Sequence, residues 1–412
     1  METNRAHAEK VKKMRLLRQQ QQAMRQARRQ LVAQRPMRQA RSQLVAQRPA
    51  ITRRAGPVSG LANLGNTCYL NSVLQCLRHS RPLKVYLLGK GFAQDNLCLI
   101  NRQPIQQAFL AEFKALIQKL EEDNKVSQRP TAVHQRLGMV NGAFRGFRQE
   151  DAQECLNTIL QTLHAALQLN VRITIDEGRG NSRANHNLRK GLRQYEAHLK
   201  HGGYSAIDEI FGSQFESRLS CQRCGHVWST FDPYSLVPVE IPNQAVTIYD
   251  CLDQFMLSEE LENVICERCS EQHGKTNVDK QFRLWTLPKM LVIQLKRFNG
   301  SGRGLRKIEK FIQAPLKLNI SKYVSHPRVL NQIQRNPAAL QLYDLKGVVC
   351  HSGQLNGGHY TAKCYRDDEP RGWFTLDDNY TQRINDVNDI QSNLNYIFFY
   401  EMSPETRRWW RK

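Results

Sequence analysis

Apolar residues recur at helical spacing in three places in the first half of the chain. Leu70, Val73, Leu74 and Leu77 form one such set, Phe109, Phe113, Leu116, Ile117 and Leu120 a second, and Ala152, Leu156, Ile159, Leu160 and Leu163 a third. Recurrence at i, i+3, i+4 and i+7 places side chains on one helix face, so the pattern predicts three amphipathic helices with those faces buried. Beyond Phe211 the texture changes. Leu291–Phe298, Tyr343–Cys350, His359–Tyr365 and Tyr396–Tyr400 are short runs rich in β-branched and aromatic residues, and they predict strands. Residues 176–203, rich in Gly, Asn, Arg and His, predict a loop or polar excursion. Helices first and strands later predict an α+β fold rather than alternating βαβ units.

The first 58 residues stand apart. They hold 15 Lys and Arg against two acids, and no acid occurs between Glu9 and Asp95. A 13-residue unit is repeated in tandem, Met24–Pro36 and Met37–Pro49, differing only at Arg29 and Ser42. Two copies are too few for a solenoid. Pro36 and Pro49 interrupt any long helix, and Ala55-Gly-Pro57 marks a boundary, so the expectation for 1–58 is a basic arm with short, fraying helices. A localised charge of this kind suits an anionic partner (nucleic acid, chromatin, an acidic protein face or an import receptor), or else a solvated tail. Clusters such as Lys10–Arg15 and Arg25–Arg29 resemble basic import signals. They predict a nuclear or nucleolar location, with the cytoplasm as the alternative. Glu2, Glu9 and the scarcity of serine count against a mitochondrial transit peptide.

Composition narrows the class. With 40% hydrophobic and 24% charged residues the chain can build a packed core, which excludes wholesale disorder. No apolar run approaches the roughly 20 residues of a membrane span, and the Met1 end lacks the apolar stretch of a secretory signal. The expectation is an intracellular protein without membrane contact. There the 11 cysteines are catalytic, metal-binding or core residues rather than disulfides.

Cys68 lies in Leu61-Ala-Asn-Leu-Gly-Asn-Thr-Cys-Tyr-Leu70, where a Gly65 turn leads into the first predicted helix. Free N–H groups and the macrodipole at a helix N-terminus favour an anion. A thiolate nucleophile suits that position, and so does a buried, inert cysteine. Asn356-Gly-Gly-His-Tyr360 puts His359 at the end of a loop and the start of a strand. Trp373-Phe-Thr-Leu-Asp-Asp378 supplies two acids at the end of another. A catalytic imidazole needs an acid to fix its tautomer, but residues this scattered are only a candidate triad until they meet in space. Cys221-x-x-Cys224 and Cys266-x-x-Cys269 are two knuckles that can place four thiolates around zinc, 41 residues apart. Redox pairs and coincidence are the other readings of that spacing.

Together these segments resemble the ubiquitin-specific proteases, over about Ser59 to Glu401. GLANLGNTCYLNSVLQCL (Gly60–Leu77) is similar to the family's cysteine segment, and HSGQLNGGHYTAKCY (His351–Tyr365) with WFTLDDN (Trp373–Asn379) to its histidine segment. Phe147–Glu154 resembles the Gln-Asp segment beside the ubiquitin tail, and Leu287–Phe298 a further family segment. The resemblance implies a papain-like fold with a helical thumb (about 59–205), zinc-bearing β fingers (206–285) and a β palm (286–402), followed by a tail at 403–412. It implies cleavage after the terminal glycine of ubiquitin. Cys68 would be the nucleophile, His359 the base and Asp377 the third triad member, with Asp378 beside it as a spare orienting acid and Asn63 on the oxyanion. Asp151, Gly357, Gly358 and Tyr360 would meet ubiquitin. Glu150 and Leu376 depart from the family pattern, which usually has Gln and an aromatic there. The arm lies outside the resemblance.

Overall fold

The stripe Leu70, Val73, Leu74, Leu77 is wholly buried in helix α1, Cys68–His79. In this computed structural model residues 58–96, 99, 103–122, 127–169, 183–299, 306–326, 330, 334, 342–354 and 357–410 are described, so the arm's expected helices and Cys98 lie outside them. The other two predicted stripes bury their apolar faces in α2, Pro104–Glu122, and α3, Ala152–Ala166. These helices form one core with the adjoining face of the main sheet, through Val349, Tyr360, Ala362, Ile397 and Phe399. A helix at Thr131–Val140, not expected from the sequence, completes that layer.

Residues 183–202 correct the sequence reading. They form helix α4, Arg183–Gly202, in place of the expected polar loop. Leu192, Tyr195 and Leu199 carry the helical period inside a run of charged and polar residues that masks it. Gly191 sits mid-helix because a Cβ there would lie 2.9 Å from Trp285 Nε1. The absence of a side chain is what lets the helix reach the Phe231–Trp285 pair.

Two sheets follow. The fingers sheet is antiparallel, built from β1 (Ser213–Cys221), β2 (Val227–Tyr234), β4 (Glu259–Val264) and β5 (Thr276–Leu284) in the order β2-β1-β5-β4. The eight-stranded palm sheet contains β3 (Val237–Val239), β6 (Met290–Leu295), β7 (Lys317–Asn319), β8 (Leu342–Gln354), β9 (Gly357–Arg366), β10 (Gly372–Asp377), β11 (Tyr380–Ile384) and β12 (Asn395–Met402). Its main path runs β11-β10-β9-β8-β12-β6-β3, and β7 adds to β8. All four strands expected in this half lie in it.

The fingers interval is therefore not continuous. β3 pairs in parallel with palm strand β6, and helix Ile248–Phe255 buries Ile248, Cys251 and Leu252 in the second core, on the palm side. The expected tail, 403–412, begins a helix at Pro404–Trp410 whose Arg407 bonds Glu401 and the Met402 carbonyl. Among the described residues no helix is long and apolar enough to cross a membrane.

Candidate active site

The Asn63–Thr67 loop is folded by its own side chains. Asn63 Oδ1 accepts from the N–H groups of Gly65 at 2.9 Å and Thr67 at 3.1 Å, and Thr67 Oγ1 accepts from Leu64 N–H at 2.9 Å. The chain turns through positive φ at Gly65 (+116°) and Asn66 (+53°), conformations that Gly and Asn tolerate best. This delivers Cys68 as the first residue of α1, 3% exposed. Burial raises its thiol pKa and the Asp378 carboxylate adds to that, while the backbone N–H groups of Tyr360, Tyr69 and Cys68 itself lower it; the net shift is upward. The helix N-terminus does supply thiolate donors, as expected, but burial outweighs them.

His359 is the third residue of β9, and Asp377 ends β10. His359 Nε2 lies 2.6 Å from Asp377 Oδ1. The Nε2 atom is thereby engaged with the acid, leaving Nδ1 as the other ring nitrogen. Strand β9 also links His359 to Cys68, because the backbone N–H of the next residue, Tyr360, is among the groups that lower the Cys68 thiol pKa.

Asp378 holds a different position from the spare acid expected of it. Its Oδ2 accepts from Asn63 Nδ2 at 2.8 Å and its Oδ1 from Asn71 Nδ2 at 2.7 Å. Its carbonyl accepts from Leu61 N–H at 2.7 Å, and its φ is +50°. A Cβ at Gly60 would lie 2.6 Å from that same carbonyl, so only glycine allows the segment before the nucleophile to run against the acid turn. Asp378 thus orients Asn63: with Oδ1 committed to the loop and one N–H to Asp378, the remaining Nδ2 hydrogen is free to meet an oxyanion. Asn71 is the site residue the sequence reading missed. It lies one helical turn beyond Cys68, and no local pattern signals a partner 307 residues away.

Asp151 is the N-cap of α3. Its Oδ1 accepts from Gln153 N–H at 2.7 Å and Glu154 N–H at 3.1 Å, and its Oδ2 from Tyr396 Oη at 2.8 Å. It lines a cleft of about 410 Å³ with Glu154, Gln294, Lys296 and Phe298. Tyr360 does not line that cleft: its ring is 4% exposed and its hydroxyl points 3.5 Å from Asp151 Oδ2, so it supports the acid from behind. Gly357 is open, with nothing near a Cβ built on it, whereas a Cβ at Gly358 would collide with His351 Nε2 and the Ser352 carbonyl. His351 is buried against Tyr360 and Phe298. Burial first, then the Lys307 ammonium and His359, push its pKa down to about 4, so it is neutral at pH 7.

In the fingers, Cys221, Cys224, Cys266 and Cys269 bring their sulfurs within 4.8 Å of one another. Sγ–Sγ is 3.8 Å for Cys221–Cys269 and 3.7 Å for Cys224–Cys266. A zinc ion bonded tetrahedrally to sulfur at about 2.3 Å requires sulfur edges of about 3.8 Å, so the cluster fits zinc. N–H groups of Cys224 and Arg268 point at Cys221 Sγ (3.5 Å) and Cys266 Sγ (3.4 Å), as suits bound thiolates.

A family model for ubiquitin carboxyl-terminal hydrolases matches residues 59–400. The chain is 30% identical over 365 residues to ubiquitin carboxyl-terminal hydrolase 2 of Homo sapiens, covering 86% of this chain and 57% of that protein. It is 30% identical over 378 residues to ubiquitin carboxyl-terminal hydrolase 21 of Bos taurus, covering 85% of this chain and 62% of that one. It therefore spans less than two thirds of these relatives' length. Among solved structures, the SAGA DUB module of Ubp8, Sgf11, Sus1 and Sgf73 bound to monoubiquitin matches with a TM-score of 0.66 and 23% identity, covering 88% of this chain and 74% of that one. A likeness at that identity concerns the fold, which is the α+β papain-like arrangement of thumb, palm and fingers. A match across nearly everything beyond the arm, on a fold with the same layers, places the chain in the ubiquitin carboxyl-terminal hydrolase family.

Proposed function

We propose that the chain is a cysteine-type deubiquitinase that cleaves the isopeptide or peptide bond after ubiquitin's terminal glycine. The observation that carries this reading is the 2.6 Å pairing of His359 with Asp377, with Cys68 as the first residue of α1 and the backbone N–H of Tyr360, next to His359, among the groups that lower its thiol pKa. Cys68 gives up its proton to His359 and attacks the carbonyl carbon. The imidazolium, held by Asp377, returns the proton to the departing lysine amine, leaving a thioester. Asn63, oriented by Asp378 and Asn71, and the Cys68 N–H stabilise the oxyanion; one such donor is commonly worth about 3 kcal/mol. Water activated by His359 then releases ubiquitin and restores the thiol. Burial keeps the resting group a thiol, so proton transfer to His359 belongs to the reaction.

Asp151 and the Gly357–Gly358 edge flank the route by which the tail approaches. Zinc would be held by Cys221, Cys224, Cys266 and Cys269 and would supply structure to the fingers rather than chemistry. The arm directs the enzyme to the nucleus and to nucleic acid or chromatin there; a fusion of residues 1–58 to a fluorescent protein should accumulate in nuclei, and failure to do so removes that part of the proposal.

The main test is hydrolysis of a fluorogenic ubiquitin amide by the full chain. Wild type should turn over and Cys68→Ala should bind ubiquitin without turnover. Binding without cleavage by wild type would make the protein an inactive ubiquitin binder. Cleavage confined to amides of another Gly-Gly-ending modifier would reassign its substrate.

A further inference from the structure

The geometry points to Gln149 as a positioning residue for His359: its carboxamide stands in for a missing neighbouring strand and holds the Gly358 end of β9 in place. Strand β9 is flanked on one side by β8, with pairing from Gly357 to Cys364. On its other side β10 pairs only with Ala362–Arg366. Among the described residues, the stretch Gly357–Thr361, which carries the catalytic base, thus has a strand on one side alone. At the open side Gln149 Oε1 accepts from Gly358 N–H at 2.9 Å, and Gln149 Nε2 donates to the Gly358 carbonyl. One side-chain amide meets both polar groups of one backbone residue, as a residue of a paired antiparallel strand would.

The clamp is placed where it matters for catalysis. Gly358 immediately precedes His359, and Tyr360, whose backbone N–H lowers the Cys68 thiol pKa, follows. The opposite surface of Gly358 is closed by His351 and Ser352, against which even a Cβ would collide. Gly358 is therefore held from both sides, by packing on one and by two hydrogen bonds on the other. Gln149 itself is anchored two residues before the Asp151 cap of α3, so the clamp ties the helical layer to the strand of the base. Its partner lies 209 residues away in sequence. Asp377 fixes the imidazole's rotation, while Gln149 fixes the backbone that carries it.

This inference rests, for its catalytic readout, on the deubiquitinase reading. The experiment compares full-length wild type with Gln149→Ala, Gln149→Asn and Gln149→Glu. It measures kcat and KM on the fluorogenic ubiquitin amide, together with amide hydrogen exchange at Gly358. Since a misplacement of about 1 Å can cost on the order of a hundredfold, Gln149→Ala should lower kcat about tenfold to a hundredfold with KM within about twofold. Gln149→Asn, one methylene shorter, should behave like Ala. Gln149→Glu keeps the acceptor for Gly358 N–H and should be intermediate. Exchange at Gly358 should quicken in the Ala variant while α3 stays protected. Unchanged kcat, or a lower KM with kcat unchanged (a latch that substrate must displace), overturns the inference. If wild type does not cleave ubiquitin at all, the functional reading falls, and unchanged Gly358 exchange in Gln149→Ala overturns the clamp on its own.

Discussion

Replacing Asp378 by alanine separates two accounts of what this acid does. As a reserve triad member it would matter little while Asp377 is present. The structure instead gives both of its oxygens to Asn63 and Asn71, at 2.8 and 2.7 Å. A hydrogen bond to a charged group contributes about 1.5–3 kcal/mol, which bounds how firmly Asp378 holds Asn63. The ceiling on its kinetic effect is the worth of the donor it orients, about 100- to 1,000-fold in kcat for one oxyanion contact. Asp378→Ala should therefore lower kcat by roughly 10- to 100-fold with little change in KM, and Asn63→Ala by roughly 100- to 1,000-fold. The double variant should be no worse than Asn63→Ala alone, because residues acting through one another are not additive. Asp377→Ala should cost on the order of 10⁴-fold, as loss of an orienting acid does in triads. Steady-state hydrolysis of the fluorogenic ubiquitin amide by the four variants and wild type decides it. If the Asp378 and Asn63 losses multiply in full, Asp378 acts by a route independent of Asn63, and its role as the orienting acid of the oxyanion donor is refuted.

Three further outcomes follow from the geometry. Metal analysis of reduced protein should find about one zinc per chain, and Cys224→Ser should lose it with faster exchange confined to the fingers sheet; unaltered metal content would break the four-thiolate assignment. Glu121 is pushed up by burial but pulled down further by Arg78 and Lys84, to about 2, so its contribution to stability is present above the usual carboxylate range and fades as pH falls toward 2. Glu121→Ala leaves Arg78, 2% exposed, without its carboxylate and should cost about 3 kcal/mol in denaturant unfolding near pH 7; a loss under about 1 kcal/mol would show that the Ser59 and Leu120 carbonyls suffice. His164 is lowered by burial but raised further by Asp208 and the Gly202 carbonyl, the net shift being upward. Its contribution is complete below about pH 6.5 and is lost as pH rises through the folded value, so His164→Gln should flatten that slope, and a persisting slope would assign it elsewhere.

The parts of the site that are legible in the sequence are those whose signal is local. Gly65 and Cys68 fall where a turn meets an apolar helix period, and the two knuckles have metal-ligand spacing. What escapes is what tertiary pairing decides. Gln149 and Asn71 look like ordinary polar residues until the fold brings Gly358 and Asp378 to them. Tyr360 reads as a surface contact next to a base, yet alternation along β9 turns its ring inward under Asp151. Strand β3 reads as part of the fingers because it lies between the knuckles, but its partner is β6 of the palm. Helix α4 does carry a readable stripe, and a mid-helix glycine among charged residues hides it.

The order of strands in the palm bears on when the protein can act during its own synthesis. β12, at Asn395–Met402, lies in the interior of the sheet between β8 and β6, and the Asn63–Asp378 bond joins residues 315 apart. At about 5–20 residues per second, on the order of 15–60 s separate the making of those two partners on the ribosome. Until β12 is inserted the sheet carrying His359 has a gap between β8 and β6, and until Asp378 is made Asn63 has no acid to orient it. Assembly is thus dominated by distant contacts, which fold slowly, and it would leave the nascent chain without the hydrolytic activity proposed for it. A chain cut before β12 should be inert rather than weakly active.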